Sequence, residues 1–401
     1  LITPFFLGKF NEGKEMIKVS VIQKVNEIMQ KAKSLNASDI HFEMLENQFQ
    51  VRFRIDGVLR KMELLPYIQR DEFIARIKIL ADLNTAEKRR PQDGKFSLKI
   101  SGIDTDIRVS IILTLFGEKA VLRLLNRDSI QLNLDFLAFS TQEKTLFTRH
   151  IRNPYGMILV TGPTGSGKTT TLYTALQILN SEEINITTIE DPIEYQLAGI
   201  NQTHIRPDIN YTFSSALRSI LRQDPDVIMV GEMRDTETAE IAIRSALTGH
   251  LVFSTIHTND APSTITRLLN MGVEKFLVAS SIKLIIAQRL IRKICPYCKE
   301  KFTLPEQFIQ DYHFPANHDF YHGKGCPECN HTGFSGRTAV FEMLEVNENI
   351  VSLIMNNAGE KEIRKEAVKQ GMSTLFESSM QKAMAGITSP QEIIRKLFIY
   401  A

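Results

Sequence analysis

Apolar and polar residues along the first 125 or so positions alternate with a period of two, which marks half-buried antiparallel strands. In Gln50-Val-Arg-Phe-Arg-Ile55, Val51, Phe53 and Ile55 face one way and Arg52 and Arg54 the other. Asp56-Gly57 supplies the two-residue turn that tolerates positive φ, and the return strand begins at Val58. A second hairpin follows: Phe96, Leu98 and Ile100 alternate with Lys95, Ser97 and Lys99, and beyond Ser101-Gly102 so do Ile107, Val109 and Ile111 with Asp106, Arg108 and Ser110. Helical periodicity over Val19–Leu35 and Asp71–Leu83 completes a small α+β domain with helices on one sheet face.

From about Leu134 the pattern changes. Short apolar runs at 157–160, 186–189, 227–230 and 251–255 alternate with helical segments, which predicts a mostly parallel sheet covered on both faces. Asp260 reads as a helix N-cap with Pro262 in the first turn and Gly272 closing the helix. A loop-rich insert is expected over 292–337 and helices over 347–400, broken at Gly371 and at Gly386–Pro390. The expected domains are a linker over 1–16, an α+β domain over 17–126 and an α/β domain over 127–401. The last includes the insert and a helical C-terminal region over 338–401.

Composition adds exclusions. The 401 residues are 43% hydrophobic and 23% charged, ordinary globular values that exclude disordered and low-complexity classes. A formal charge of +2 gives no electrostatic reason to expect direct nucleic-acid binding. No apolar run approaches the ~18 residues of a membrane span, and the start lacks signal-peptide features. The chain opens on Leu1 rather than Met, so an upstream part is expected.

The chemistry centres on Gly162-Pro163-Thr164-Gly165-Ser166-Gly167-Lys168-Thr169, a G-x-x-x-x-G-K-[ST] phosphate loop between a buried strand and the helix that starts with Thr170. Its glycines let backbone N–H groups converge on an anion. The helix N-terminus adds positive potential, Lys168 bridges the outer phosphates and Thr169 offers a hydroxyl to Mg²⁺. A nucleoside triphosphate is expected here. The strand 227–230 ends in Gly231-Glu232, a carboxylate placed to polarise water. The Asp common before that acid is Gly231, so Mg²⁺ is expected to be held through water, by Glu232 or by a carboxylate of Glu190-Asp191-Pro-Ile-Glu194. His257 follows the last strand and His250 precedes it. His257, at the carboxyl end, is the better candidate to sense a terminal phosphate. Cys295-Pro-Tyr-Cys298 and Cys326-Pro-Glu-Cys329 are read as a Zn²⁺ tetrathiolate first and as disulfides second.

Several motifs in order make the chain resemble the traffic ATPases of type II secretion, type IV pilus assembly and competence. They are Ala37-Ser-Asp-Ile-His41, Arg52-Phe-Arg-Ile-Asp-Gly57, Lys88-Arg-Arg-Pro-Gln-Asp-Gly94, the phosphate loop and the acidic box Thr188–Glu194. Leu217–Asp226 leading to Glu232, the box Thr248–His257 and the paired cysteines complete the set. The resemblance implies a RecA-like motor domain behind a PAS-like domain, ATP and Mg²⁺ as ligands, and a homo-hexamer. It places the catalytic roles on Lys168, Glu190, Glu232 and His257. It also implies a cytoplasmic protein at the inner face of the membrane. There it would act on an inner-membrane platform protein and bind a membrane-anchoring partner through a further N-terminal domain. ATP turnover would then move the N-terminal domain against the motor domain. A switch from 1:99 to 99:1 needs about 5.5 kcal/mol of differential binding. Two to four charge-assisted hydrogen bonds of about 1.5–3 kcal/mol each suffice. Arg89 and Arg108 are the candidate donors, with Arg54 behind them. Lys95 stands where the family commonly has Arg, and Arg206-Pro-Asp-Ile-Asn-Tyr211 departs from the family's turn. Pilus retraction or DNA transport, and a scaffold that binds nucleotide without hydrolysis, are the alternative readings. The cysteines and charge oppose the first, Glu232 and His257 the second.

Overall fold

A computed structural model describes residues 20–126, 132–316 and 318–399. The linker expected over 1–16, the domain start at 17 and the boundary at 127 lie outside the described residues. The chain divides into two compact units at residues 128/129.

The first unit holds α1 (Val21–Ser34), β1 (Ala37–Leu45), β2 (Gln48–Ile55), β3 (Val58–Leu65), α2 (Arg70–Leu80), β4 (Gln92–Ile100), β5 (Ile103–Thr114) and β6 (Gly117–Asn126). Its six strands form one antiparallel sheet in the order β3-β2-β1-β6-β5-β4. Both hairpins turn where the sequence places them, with Asp56 and Gly57 at positive φ in the first and Ser101 and Gly102 in the second. Alternation sends Val51, Phe53, Ile107, Val109 and Ile111 into one core with Val25, Ile28, Phe73 and Ile77 of the two helices. Lys78 of α2 is buried, and its ammonium lies 2.6 Å from Glu118 and donates to the Glu87 carbonyl, so the charge is fully matched. The opposite sheet face is charged. Burial pushes the Glu43 carboxyl up, but Arg52 and Lys119 more than offset this and hold it down at about 2.

The second unit contains α3 (Thr141–Ile151), β7 (Gly156–Thr161), α4 (Lys168–Leu179), β8 (Ile186–Glu190), β9 (Asn201–His204), α5 (Phe213–Ile220), β10 (Val227–Val230), α6 (Thr236–Leu247), β11 (Leu251–Ile256), α7 (Ala261–Asn270) and α8 (Lys275–Ser281). It continues through β12 (Ile282–Ile294), β13 (Lys299–Phe302), α9 (Glu306–Tyr312), β14 (Phe320–Gly323), β15 (Phe334–Glu345), α10 (Glu348–Met355), α11 (Glu360–Lys369), α12 (Leu375–Met384) and α13 (Pro390–Ile394). The main sheet runs β15-β12-β7-β11-β10-β8-β9, parallel except for the antiparallel pair β12–β15. Both faces are buried, as the unbroken apolar runs require. Met157 and Leu159 pack with α5–α8, whereas Ile158 and Val160 pack with α3 and α4. Asp260 caps α7 as expected, accepting from the Ser263 amide at 2.9 Å.

Two sequence expectations are corrected. Residues 338–345 are strand rather than part of a helical region, because β15 returns from the insert to pair with β12. The insert is also less irregular than its composition suggests. It carries the hairpin β13–β14 and α9, whose Phe314 and Phe320 share a small core with Met380 and Ile393.

Candidate functional site

The carboxyl end of β7 runs directly into the glycine loop. Gly162, Gly165 and Gly167 all have positive φ, a conformation costly for other residues, and Gly167 forms the N-cap of α4. Pro163, Thr164 and Gly165 are exposed, Ser166 is buried, and Lys168, Thr169 and Thr170 are half-buried. Lys168 Nζ folds back to donate to the carbonyls of Gly162 at 2.9 Å and Pro163 at 3.3 Å. Burial pushes Lys168 down to about 8; the nearby Glu232 charge opposes this and Arg289 adds to it. A phosphate in the loop would favour the charged ammonium and raise that value again. Binding therefore takes up a proton above pH 8. ADP affinity is expected to be level below pH 8 and to weaken by up to about tenfold per unit above it. Titrations with fluorescent ADP from pH 7 to 9.5 check this, and a flat profile contradicts it.

Strand β10 is not beside β7; β11 lies between them. Thr255 Oγ1 of β11 donates to the Gly231 carbonyl at 2.7 Å, and Ser254 Oγ donates to that of Val230 at 2.8 Å. These bonds fix the β10 end from which Glu232 projects. A Cβ at Gly231 would stand 3.1 Å from the Ile189 carbonyl oxygen, so β8 crowds the position where related loops carry Asp. The Glu232 side chain is mostly buried. One oxygen lies 2.6 Å from Arg234 Nη2, and the other 3.7 Å from Nε2 of the half-exposed His257. Lys168, Glu232 and His257 thus share the carboxyl edge of the sheet. His250 instead hydrogen-bonds the Ser245 carbonyl at the end of α6, a structural role.

Glu190, at the end of β8, is enclosed. It accepts from Tyr173 Oη of α4, from Thr188 Oγ1 at 2.6 Å and from Gln202 Nε2 at 3.1 Å. Burial raises its pKa, while these three donors oppose the rise. Its carboxylate therefore ties β8, β9 and α4 together. Thr169 makes no side-chain hydrogen bond among the described residues, which leaves its hydroxyl available to a cation.

In the first unit, cross-strand register gathers Arg54, Asp39, Arg123, Arg108 and Lys95 into one row. Asp39 is 3.0 Å from Arg123 and 3.6 Å from Arg54. Like charges directly opposed across strands are unfavourable, and Asp39 offsets Arg123 in this row. Arg89 is not in the row: its side chain is 88% exposed and near Glu87.

The four cysteines converge, with all four sulfurs within 4.8 Å of one another. The Sγ–Sγ distances are 3.8 Å for Cys295–Cys326, 3.8 Å for Cys298–Cys329 and 3.7 Å for Cys326–Cys329. Zn–S bonds of about 2.3 Å in a tetrahedron give S–S edges of about 3.8 Å. The donor set fits that ion, and the thiols are not paired as disulfides.

Sequence reading missed Arg123, Arg234, Tyr173, Gln288 and Arg289. Alternation already placed Arg123 on the charged face, but its row neighbours depend on register. Gln288 accepts from Thr171 Oγ1 at 2.7 Å, under the phosphate loop. Arg289 approaches the same loop, and neither residue belongs to a recognisable motif.

The loop, the acid beyond the intervening strand and the imidazole beside it define a P-loop ATPase. Comparison with known proteins narrows this. The sequence pattern of the family described as "Type II/IV secretion system protein" spans residues 15–395. The type IV pilus assembly ATPase PilB of Myxococcus xanthus is 48% identical over 380 residues, 93% of this chain and 67% of that protein. The type II secretion system ATPase E of Vibrio cholerae is 45% identical, over 94% of this chain and 75% of its own length. The crystal structure of the pilus retraction motor PilT with bound ADP is similar at TM-score 0.61 and 28% identity, covering 92% of this chain and 96% of PilT. The chain belongs to the type II/IV secretion system family, among the ATPases of type II secretion and type IV pilus assembly. The assembly reading is thereby borne out. No helix among the described residues is long and apolar enough to cross a membrane.

Proposed function

We propose that the chain converts ATP hydrolysis into assembly of a pilus or pseudopilus through a division of roles among its residues. Lys168 and the amides of residues 162–170 hold the phosphates. Thr169 would hold Mg²⁺, which when bound would shield charge on the phosphates. Glu232 accepts the proton of the attacking water, and His257 reads the terminal phosphate. Glu190 acts at one remove, by fixing Tyr173 and hence α4. The cysteines hold one Zn²⁺, closed to catalysis because all four ligands are protein sulfur. The two units serve as separate domains of a cytoplasmic homo-hexamer. That ring acts on an inner-membrane platform protein and binds a membrane-anchoring partner.

The observation that carries this reading is the collection of Lys168, Glu232 and His257 at the carboxyl ends of β7, β10 and β11, where open α/β sheets place their ligands. The likeness to PilT, whose structure holds ADP, supports it. The test is Lys168→Ala, which is expected to weaken ATP binding by about tenfold or more and to abolish turnover. Nucleotide titration and phosphate release measure the two effects. Wild-type affinity in the variant would place the nucleotide elsewhere.

A further inference from the structure

Arg289, near the middle of β12, is 5% exposed, and its guanidinium lies behind the phosphate loop. Nη1 is 3.1 Å from where a Cβ on Gly162 would stand, so the head group abuts the first residue of the loop. Its hydrogen bonds go to carbonyls only: Nη1 to that of Gln288 at 3.2 Å and Nη2 to that of Asn259 at 2.7 Å. Among the described residues no carboxylate lies within 4.0 Å of it. The two acids that act on it at longer range, Asp260 and Glu342, share Arg364 with Glu360, at 2.7, 3.6 and 3.0 Å, and neither touches Arg289. Asp260 also caps α7, and Glu342 accepts from the amides of Ala261 and Leu375. Beside the same point of the loop, the buried hydroxyl of Ser166 has no partner.

A guanidinium does not shed its proton at any working pH, and burying one with no carboxylate in contact is costly. A fold selected for stability alone would fill this position with an apolar side chain. The missing negative charge is the kind that a nucleoside di- or triphosphate brings to the other side of the loop. We infer that Arg289 is a positioning residue for nucleotide, a buried cation whose counter-ion is the bound polyphosphate. It acts through the loop backbone, without touching the transferred group. Lys168 approaches Gly162 through its carbonyl and Arg289 through its Cα, so the first loop glycine is held between two cations. When Lys168 turns to the phosphates, Arg289 keeps positive potential on that glycine.

The inference rests on the phosphate loop being the nucleotide site, and the test separates the two. ADP affinity and melting temperature are measured for the wild type, R289M and R289K. R289M removes the charge at similar volume. It is expected to melt no lower than wild type without ligand, while binding ADP about tenfold more weakly, a difference of about 1.4 kcal/mol. R289K restores a charge without the planar fork and is expected to bind within about threefold of wild type. An R289M chain that melts lower or fails to fold, or one with unchanged ADP affinity, overturns the inference. So does an R289K chain as weak as R289M, because charge would then not be the operative property. If the wild type shows no ADP-linked rise in melting temperature, the phosphate-site reading itself fails.

Discussion

Glu232→Gln is expected to bind Mg–ATP within about twofold of wild type and to hydrolyse it about 10²–10⁴-fold more slowly, the usual contribution of a general base. Gln has the same shape and still offers an oxygen to Arg234, now 2.6 Å from the carboxylate, so the local packing survives. What it cannot do is accept a proton from water. The surroundings of Glu232 suit a base: the side chain is largely buried at the β10 end, pinned through Thr255, and faces Lys168 and His257. The half-exposed imidazole leaves room for the ligand. Single-turnover phosphate release set against nucleotide titration gives both numbers. Unchanged turnover would move the water-activating role elsewhere. Glu190 is a poor substitute, because its three donors already occupy the carboxylate.

Loss of the tetrathiolate is expected to be the largest stability effect in the chain. Zinc-finger peptides gain about 10–16 kcal/mol from their metal. Here part of that is retained by the small core of Leu304, Phe314, Phe320, Met380 and Ile393, which exists independently of the sulfurs. Cys329→Ser is expected to cost about 3 kcal/mol or more and to lower the melting temperature by about 6–12 °C. Cys329 is the cysteine to choose because its sulfur accepts the amides of Cys326 and Gly333 at 3.2 Å each, bonds suited to a thiolate. Elemental analysis of the wild type should find one zinc per chain and of the variant well under one. A wild-type value well under one ends the tetrathiolate proposal. Dialysis against a chelator should reproduce the melting loss without mutation.

Much of this was readable from residue order because the signals are local. The phosphate loop is eight consecutive residues after a buried strand, and the hairpin at Asp56-Gly57 is fixed by turn chemistry. The paired cysteines state their own geometry. What escaped depends on neighbours distant in sequence. That β11 separates β10 from β7 is a matter of strand order, which no apolar run encodes, yet it brings His257 beside Glu232. The cationic row is a matter of register: Arg108 is placed by alternation, but its alignment with Arg123 and Lys95 needs two hairpins closed in phase. Arg89 lies in a motif and still projects to solvent, because the loop before β4 folds around Asn84 and Glu87 instead. Residues 338–345 read as the start of a helical region because β15 is buried from 338 to 344 and shows no alternation there.

Strand β12 spans 13 residues and serves both the phosphate loop and the cysteine cluster. Ala287 pairs with Thr161 at the mouth of the phosphate loop, and seven residues further on the strand ends at Ile294, next to Cys295. At about 3.3 Å per residue that distance is about 23 Å of strand, bonded along one edge to β15. A tilt of about 5° at the loop end would sweep the cysteine end through about 2 Å. The sulfur cluster is thus the tip of a pointer pivoted at the nucleotide, and a probe attached at exposed Tyr297 would report on chemistry taking place at the far end of the strand.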